Sequence, residues 1–310
     1  VIQASGSSAV MASKRARLAD GAPWQKAALF CTPPWATRTL FRVVLPRLGV
    51  GPMLPNIVWE PCAGLGHMSK VIEEFATATF ASDINDFGAP DVAAGLDACD
   101  HSEYWNAFVQ GRPDWIITNP PFSPDPPLKS AAEMLPGFLH FARVGVALLC
   151  RLQWLETEER HALLSEFPPS LVAIFSERVP MCEGGYDPKC KSASAYAWFI
   201  WKRQEDGQWP RCLADGQFTA FLIPPGQKKA WFKPSDLLLA KRHVPGFVPP
   251  SVRRKEREAA RKAVPPVTAH EIELELDGLK KAVEQYKRDY AAGRPVPPWF
   301  IAEFIQGGSS

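Results

Sequence analysis

The 310-residue chain lacks the marks of several protein classes. Its 7 cysteines, Cys31, Cys62, Cys99, Cys150, Cys182, Cys190 and Cys212, are scattered, odd in number and never spaced C-x-x-C. That argues against a disulfide framework and against a zinc knuckle. Cys182 and Cys190 flank a Gly-Gly turn, and free thiols of a reducing compartment are the expected state. Apolar runs stop short of the roughly 20 residues that a membrane span needs. No signal peptide is legible, so a cytoplasmic protein without a membrane partner is expected. No internal repeat is present, and neither sign of charge dominates, the formal net charge being +2. What is there is an ordinary globular balance, 46% hydrophobic and 22% charged, with an excess of 31 Pro and 11 Trp. Proline at about twice its usual share of roughly 5% implies rigid turns.

Residues 1–23 are small, polar and basic and read as a flexible N-terminal arm, in which VIQASGSSAV precedes Met11. From Trp24 to Arg203 short apolar runs alternate with helical stretches, the pattern of a parallel sheet covered by helices. The strands expected are Ile57–Glu60, Thr79–Ser82, Trp115–Thr118, Val144–Cys150, Leu171–Phe175 and Ala193–Trp201. Helices are expected at Ala36–Leu48, His67–Phe75, Ser102–Gln110, Leu128–Ala142 and Glu156–Phe167. The last two strands are joined without a helix, which makes that pair antiparallel. Gln204 to Pro250 reads as an irregular Pro- and Trp-rich extension. Residues 251–310 hold a basic helix, Ser251–Val264, and a second helix from Thr268 to about Ala292. In the second, Thr268 and Glu271 form a capping box, and Ile272, Leu276, Leu279, Val283, Tyr286 and Tyr290 make one narrow apolar seam.

Two motifs carry chemistry. In NIVWEPCAGLGHMSK an apolar strand runs through Glu60, Pro61, Cys62, Ala63, Gly64, Leu65 and Gly66 into a helix. Glycines let the backbone approach a ligand, and a helix start offers free N–H groups. The next strand ends on Asp83 and Ile84, where a doubly wound sheet places a carboxylate against ribose hydroxyls. Ser69 takes the place of a third glycine, which disfavours a nicotinamide cofactor. The second motif, Asn119-Pro120-Pro121-Phe122, follows the Trp115–Thr118 strand directly. The prolines hold a rigid loop whose carbonyls point outward. The Asn119 side-chain oxygen and the Pro120 carbonyl can then accept both hydrogens of one NH₂ group, with Phe122 as a flat face beside them. Such a pair restores the lone pair of an aromatic amine without a metal, and no metal site is expected. His67, His101, His140 and His161 show no ligand spacing and read as surface or satisfied residues.

On these residues the stretch from about 28 to 203 resembles the S-adenosylmethionine-dependent amino-methyltransferases whose DNA adenine-N6 and cytosine-N4 members share the Asn-Pro-Pro-Phe loop. The resemblance implies a class I methyltransferase (Rossmann-like) α/β fold, doubly wound and mostly parallel, with seven strands, one of them antiparallel, and a C-terminal helical extension. It implies that Glu60, Ala63, Gly64 and Gly66 hold the methionine part of S-adenosylmethionine and that Asp83, with Ile84, holds the ribose. Asp97 in Gly95-Leu96-Asp97-Ala98 is the counterpart of the adenine element, without its usual aromatic. Thr32 and Pro33 resemble the Thr-Pro element that closes over the methionine carboxylate. Asn119, Pro120, Pro121 and Phe122 correspond to the catalytic loop, Asn119 also facing the cofactor, and Tyr186 or Met181 is a candidate to stack opposite Phe122. The motif order is like the gamma arrangement, and RLQWLE and FSERVPMCEGGYDPK look phage- or prophage-like, which implies a bacterial or phage-infected cell.

Between Gln227 and Lys262 eleven Lys and Arg face only Asp236, Glu256 and Glu258, with Trp231, Phe232 and His243 interleaved. A basic, aromatic segment suits a phosphate backbone, so DNA is the expected partner and RNA an alternative. The expected reaction is methylation of adenine N6 in DNA. Cytosine-N4 or RNA adenine-N6 methylation, glutamine-N5 methylation of a protein, and a non-catalytic nucleic-acid-binding subunit stand as alternatives. The seam on the last helix leaves a homodimer open.

Overall fold

The computed structural model describes residues 29–100, 111–121, 129–192, 194–211, 216–263, 269–297 and 301. The expected helix Ser102–Gln110 and residue Phe122 lie outside them. The chain divides into two units, Val1–Arg253 and Arg254–Ser310.

The first unit begins with β1 (Phe30–Cys31) and α1 (Pro34–Thr39), which passes into a π turn at Leu40–Val44 and a 3₁₀ turn at Leu45–Leu48. The single long helix expected there is broken because Pro46 has no N–H to donate, and Gly49 closes the end at φ 70°. Next come β2 (Leu54–Glu60), α2 (Ser69–Ile72), β3 (Ala76–Asp83), β4 (Ala93–Ala94), β5 (Trp115–Thr118) and α3 (Ala131–Phe141). Ser130 and Glu133 cap α3 reciprocally. The order continues with β6 (Gly145–Arg151), α4 (Glu158–Glu166), β7 (Leu171–Phe175), β8 (Cys182–Glu183), β9 (Tyr196–Lys202) and β10 (Ala220–Ile223). Two short helices, α5 (Gln227–Trp231) and α6 (Asp236–Leu239), close the unit, and α7 (Pro250–Ala263) begins in it.

One sheet of eight strands runs in the order β10-β7-β9-β6-β5-β2-β3-β4. Every pairing is parallel except those of β9, which is antiparallel to both β6 and β7. This is the doubly wound, mostly parallel class I methyltransferase arrangement with one antiparallel strand. It departs from seven strands by β10, which lies parallel to β7 inside the stretch read as irregular. A separate ribbon pairs Phe30 with Glu183 and Cys31 with Cys182. The six described cysteines are free thiols.

The sheet is buried on both faces, so its central strands read as unbroken apolar runs rather than alternating ones. Alternation reappears in where the side chains go. Val58, Trp115, Ile117, Ala147, Leu149, Trp198 and Ile200 belong to one core cluster with Trp35, Phe41 and Phe75. Trp59, Ile116, Val146, Leu148, Phe199 and Trp201 belong to the other, with Phe138 and Leu139 of α3. The tryptophan excess is largely core: Trp35, Trp59, Trp115, Trp198 and Trp201 are all fully buried. Gly145 is required where it stands, because a Cβ there would come within 2.4 Å of the Trp115 ring.

The second unit continues α7 and contains α8 (Ala269–Ala291). Exposed i,i+4 pairs such as Arg254–Glu258 at 3.7 Å and Asp277–Lys281 at 2.8 Å support these helices by a few tenths of a kcal/mol each. Leu276, Leu279 and Tyr290 of the seam are exposed. Among the described residues no helix is long and apolar enough to cross a membrane.

Candidate active site

The chain runs from β2 outward to β3 and β4, then crosses back to place β5 on the other side of β2. Ligands of doubly wound sheets bind outside the carboxyl ends of the strands at such a switch point. A cleft of about 850 Å³, open solvent at its mouth included, lies there. Around it stand Thr32, Glu60, Ala63, Gly64, Asp83, Ile84, Asp97, Asn119, Pro120 and Pro121. Ten of the sequence-designated residues are thus in one place. Pro33 and Gly66 do not line it: Pro33 caps α1, and Gly66 turns the loop at φ 75°.

The glycine loop is closed on itself. The Ala63 amide donates to the Ser82 carbonyl at 2.9 Å, the Gly64 amide to Asp83 Oδ2 at 2.9 Å, and the Gly66 amide to the Ala63 carbonyl at 2.8 Å. Gly64 has φ 55°, and a Cβ on it would meet Leu29 Cδ1 at 2.5 Å. The expected helix after the loop is only the four residues of α2, with turns on either side. The picture of amides left free to bind an anion is therefore corrected: these three N–H groups already have acceptors. Asp83 holds the loop through Oδ2 and the Asn85 amide through Oδ1 at 2.9 Å. Burial nevertheless raises its carboxyl above the ordinary range.

The cleft instead presents acceptors without donors. Asn119 donates its side-chain NH₂ to the Phe30 carbonyl at 3.2 Å and to Thr32 Oγ1 at 3.1 Å. With the amide so oriented, its Oδ1 is buried and has no partner. Glu60 ends β2 at 2% exposure with Oε2 likewise unpartnered. Burial drives its carboxyl well above its ordinary pKa, against hydrogen bonds from Ser69, and nearby Asp83 adds to the rise. Each buried acceptor without a donor costs about 1–3 kcal/mol. Two such atoms at one cleft suit a ligand that donates.

Sequence reasoning missed three features. His67, read as surface or satisfied, is 2% exposed and lines the cleft; its only signal was its place directly after Gly66. The Phe30 carbonyl orients Asn119 from a residue 89 positions away, which no local motif announces. Cys62 and Met134 meet at 3.9 Å between their sulfurs and form an apolar wall with Ala98. Tyr186 does not stand free to stack on a ring: it is 2% exposed in a cluster with Leu29, Cys31, Leu65 and Val244. Met181 lies beside Asn119, its sulfur 3.9 Å from Nδ2.

The strand order is that of the class I methyltransferase fold, and the cleft at its switch point is the candidate site. No family model matches the chain, and no curated protein does. Among solved structures it is similar to a Listeria monocytogenes protein assigned to the class I S-adenosylmethionine-dependent methyltransferases, at 10% identity over 66% of this chain and 72% of that one, with a TM-score of 0.45. A modification subunit of a type I restriction enzyme from Vibrio vulnificus matches at 14% identity over 74% and 54%, with a TM-score of 0.41. A Pyrococcus horikoshii protein assigned as an RNA methyltransferase matches at 15% over 59% and 91%, with a TM-score of 0.40. The chain spans about half the length of the restriction subunit. These are likenesses of fold, and the chemistry of the cleft rests on its own atoms.

Proposed function

We propose that the protein is an S-adenosylmethionine-dependent methyltransferase acting on an exocyclic amine, with adenine N6 of DNA as the substrate. The observation that carries the reading is the Asn119 amide, whose NH₂ is tied to Phe30 and Thr32 while its oxygen is buried and unpartnered. An acceptor so fixed, next to the Pro120 carbonyl, can take the hydrogens of an aromatic NH₂ and return its lone pair to the nitrogen. Thr32 is thereby a positioning residue for Asn119.

The cleft suits the cofactor. S-adenosylmethionine is a cationic donor of hydrogen bonds, the unpartnered Glu60 oxygen and the Asp83 carboxyl offer it acceptors, and its charge would favour their ionised forms against the burial that raises them. Bound, it supplies a methyl group already activated on a sulfonium. Ala63 and Gly64 would let the backbone approach it, Gly66 shapes that turn, and Ile84, Asp97 and Ala98, which line the same cleft, would hold its ring and ribose. The protein's part is orientation of the amine, which supplies much of the rate when the reacting atoms are aligned. Phe122 stacks on the base once it has left the helix, at an extraction cost of a few kcal/mol. The basic segment through α7, with exposed Arg254, Lys255 and Arg257, tracks the phosphate backbone.

Labelled cofactor is incubated with the full chain and DNA, RNA or protein, followed by nucleoside mass spectrometry. Methyl-N6-adenine in DNA is expected. Label on RNA or protein alone replaces the substrate, and no label from folded protein overturns the reaction. Asn119→Ala should lower transfer by about 10²–10³-fold and leave cofactor binding nearly intact; equal loss of both means that the loop has another role.

A further inference from the structure

His67 follows the glycine loop and lines the cleft, yet the amine-orienting machinery does not use it. Its Nε2 lies 2.9 Å from the Leu239 carbonyl. A carbonyl only accepts, so the hydrogen sits on Nε2, and Nδ1 is a bare acceptor. Nδ1 is buried and has no partner. Burial, reinforced by the nearby Arg242 charge, lowers the pKa of the ring to about 4, and it stays neutral through the physiological range.

Leu239 ends α6, in the stretch that the sequence presents as an irregular extension. Two further contacts bring that stretch to the loop. Arg242 donates to the Leu65 carbonyl at 3.3 Å, and its guanidinium pairs with Asp91 at 2.8 Å. A Cβ on Gly66 would lie 3.1 Å from the same guanidinium. The extension therefore borders the cofactor loop from behind and sets the tautomer of its histidine.

A neutral Nδ1 needs a donor. The Ala63, Gly64 and Gly66 amides are all engaged, so these backbone groups do not fill the need, and a ligand in the cleft that His67 lines can. Once ionised, the carboxyls of Glu60 and Asp83 on the same cleft favour a cationic N–H donor over a neutral one. The wall of Cys62, Ala98 and Met134 suits a flat ring rather than a charge.

We propose that His67 binds the primary ammonium of the cofactor's amino-acid part through Nδ1, in the acceptor form that Leu239 imposes, which makes the extension part of the cofactor site. The inference rests on the cofactor reading above. Two ligands separate them: S-adenosylhomocysteine, which carries the ammonium, and 5′-methylthioadenosine, which lacks the amino-acid part. Calorimetric titration of the full chain should show His67→Phe weakening S-adenosylhomocysteine by about 10- to 100-fold, as for a lost hydrogen bond to a charged group. The same variant should leave 5′-methylthioadenosine unchanged, and His67→Gln, which keeps an acceptor, should retain most of the affinity. Equal weakening of both ligands, or no weakening of either, overturns the proposal. Independently of any variant, the ¹⁵N resonance of His67 Nδ1 in the wild-type protein should move with S-adenosylhomocysteine and stay with 5′-methylthioadenosine; the same response to both overturns it. Wild-type protein that binds neither ligand overturns the cofactor reading itself, and this proposal with it.

Discussion

Two buried polar clusters of the first unit are built on opposite terms. At the cleft, Glu60, His67 and Asn119 each keep an acceptor atom without a donor. The Arg38 guanidinium has every N–H engaged. The guanidinium is 3% exposed, and its five N–H groups go to Glu74, Asp236 and the Trp231 carbonyl at 2.6–2.9 Å. Lys233 adds an ion pair to Glu74 at 2.7 Å, and its backbone N–H donates to Asp236 Oδ2 at 2.9 Å. The knot joins α1 to α5 and α6, and holds the extension onto the domain. In this pair of clusters the satisfied one serves the fold, and the unsatisfied one lines the cleft. The carboxyls follow suit. Glu74 is held below its ordinary range because Arg38 and Lys233 together outweigh the burial that would raise it, whereas burial wins at Glu60.

The sharpest way to break the contrast is Asp236→Ala, which strands a buried guanidinium and should cost about 3–5 kcal/mol in urea unfolding. A loss under about 1 kcal/mol would place the knot with the ornamental surface pairs. Asn119→Ala should do the reverse, lowering turnover by about 10²–10³-fold, the scale on which one preorganised hydrogen bond to a reacting group acts, while changing unfolding by less than about 1 kcal/mol. Gly64→Ala tests the join between structure and site. Its positive φ and the Leu29 contact should cost about 1–2 kcal/mol and also weaken cofactor binding, both readable by thermal shift with and without ligand. The smallest effect separates the two carboxyls by sign. Glu60 has a folded pKa above its unfolded one, so it binds more protons folded, and its contribution falls as pH rises from the unfolded carboxylate range through the folded pKa. Glu74 has a lowered folded pKa; its contribution is present above the unfolded pKa and is lost as pH falls through the folded one. Glu60→Gln should therefore raise the neutral-pH melting temperature of the free protein slightly, and Glu74→Gln should lower it. Shifts of the same sign would dissolve the comparison.

Much of this was legible from residues in line. Trp115–Thr118 and Leu171–Phe175 have the bounds their apolar runs imply, and the glycine loop and Asn119 stand at the two strands of the switch point. The parts that were not legible depend on partners far along the chain. Ala220–Ile223 is four residues with an exposed Leu222, and only its pairing with β7 makes it a strand. The two-residue strands β1, β4 and β8 carry no periodicity at all. His67 looks ordinary because the group that fixes its tautomer lies 172 residues later. Tyr186 looks available because its apolar neighbours come from four separate segments.

The ribbon of Phe30–Cys31 with Cys182–Glu183 has a consequence for synthesis. The carbonyl that orients Asn119 belongs to a strand whose pairing partner is translated some 150 residues later. Contacts of such separation close late, after local structure has formed. A nascent chain that already displays the glycine loop and the Asn-Pro-Pro turn therefore does not yet possess the fixed acceptor. The fixed amide arrives with the later strand, so the emerging polypeptide passes through a stage in which it can gather β2 to β6 of its sheet but cannot yet orient Asn119.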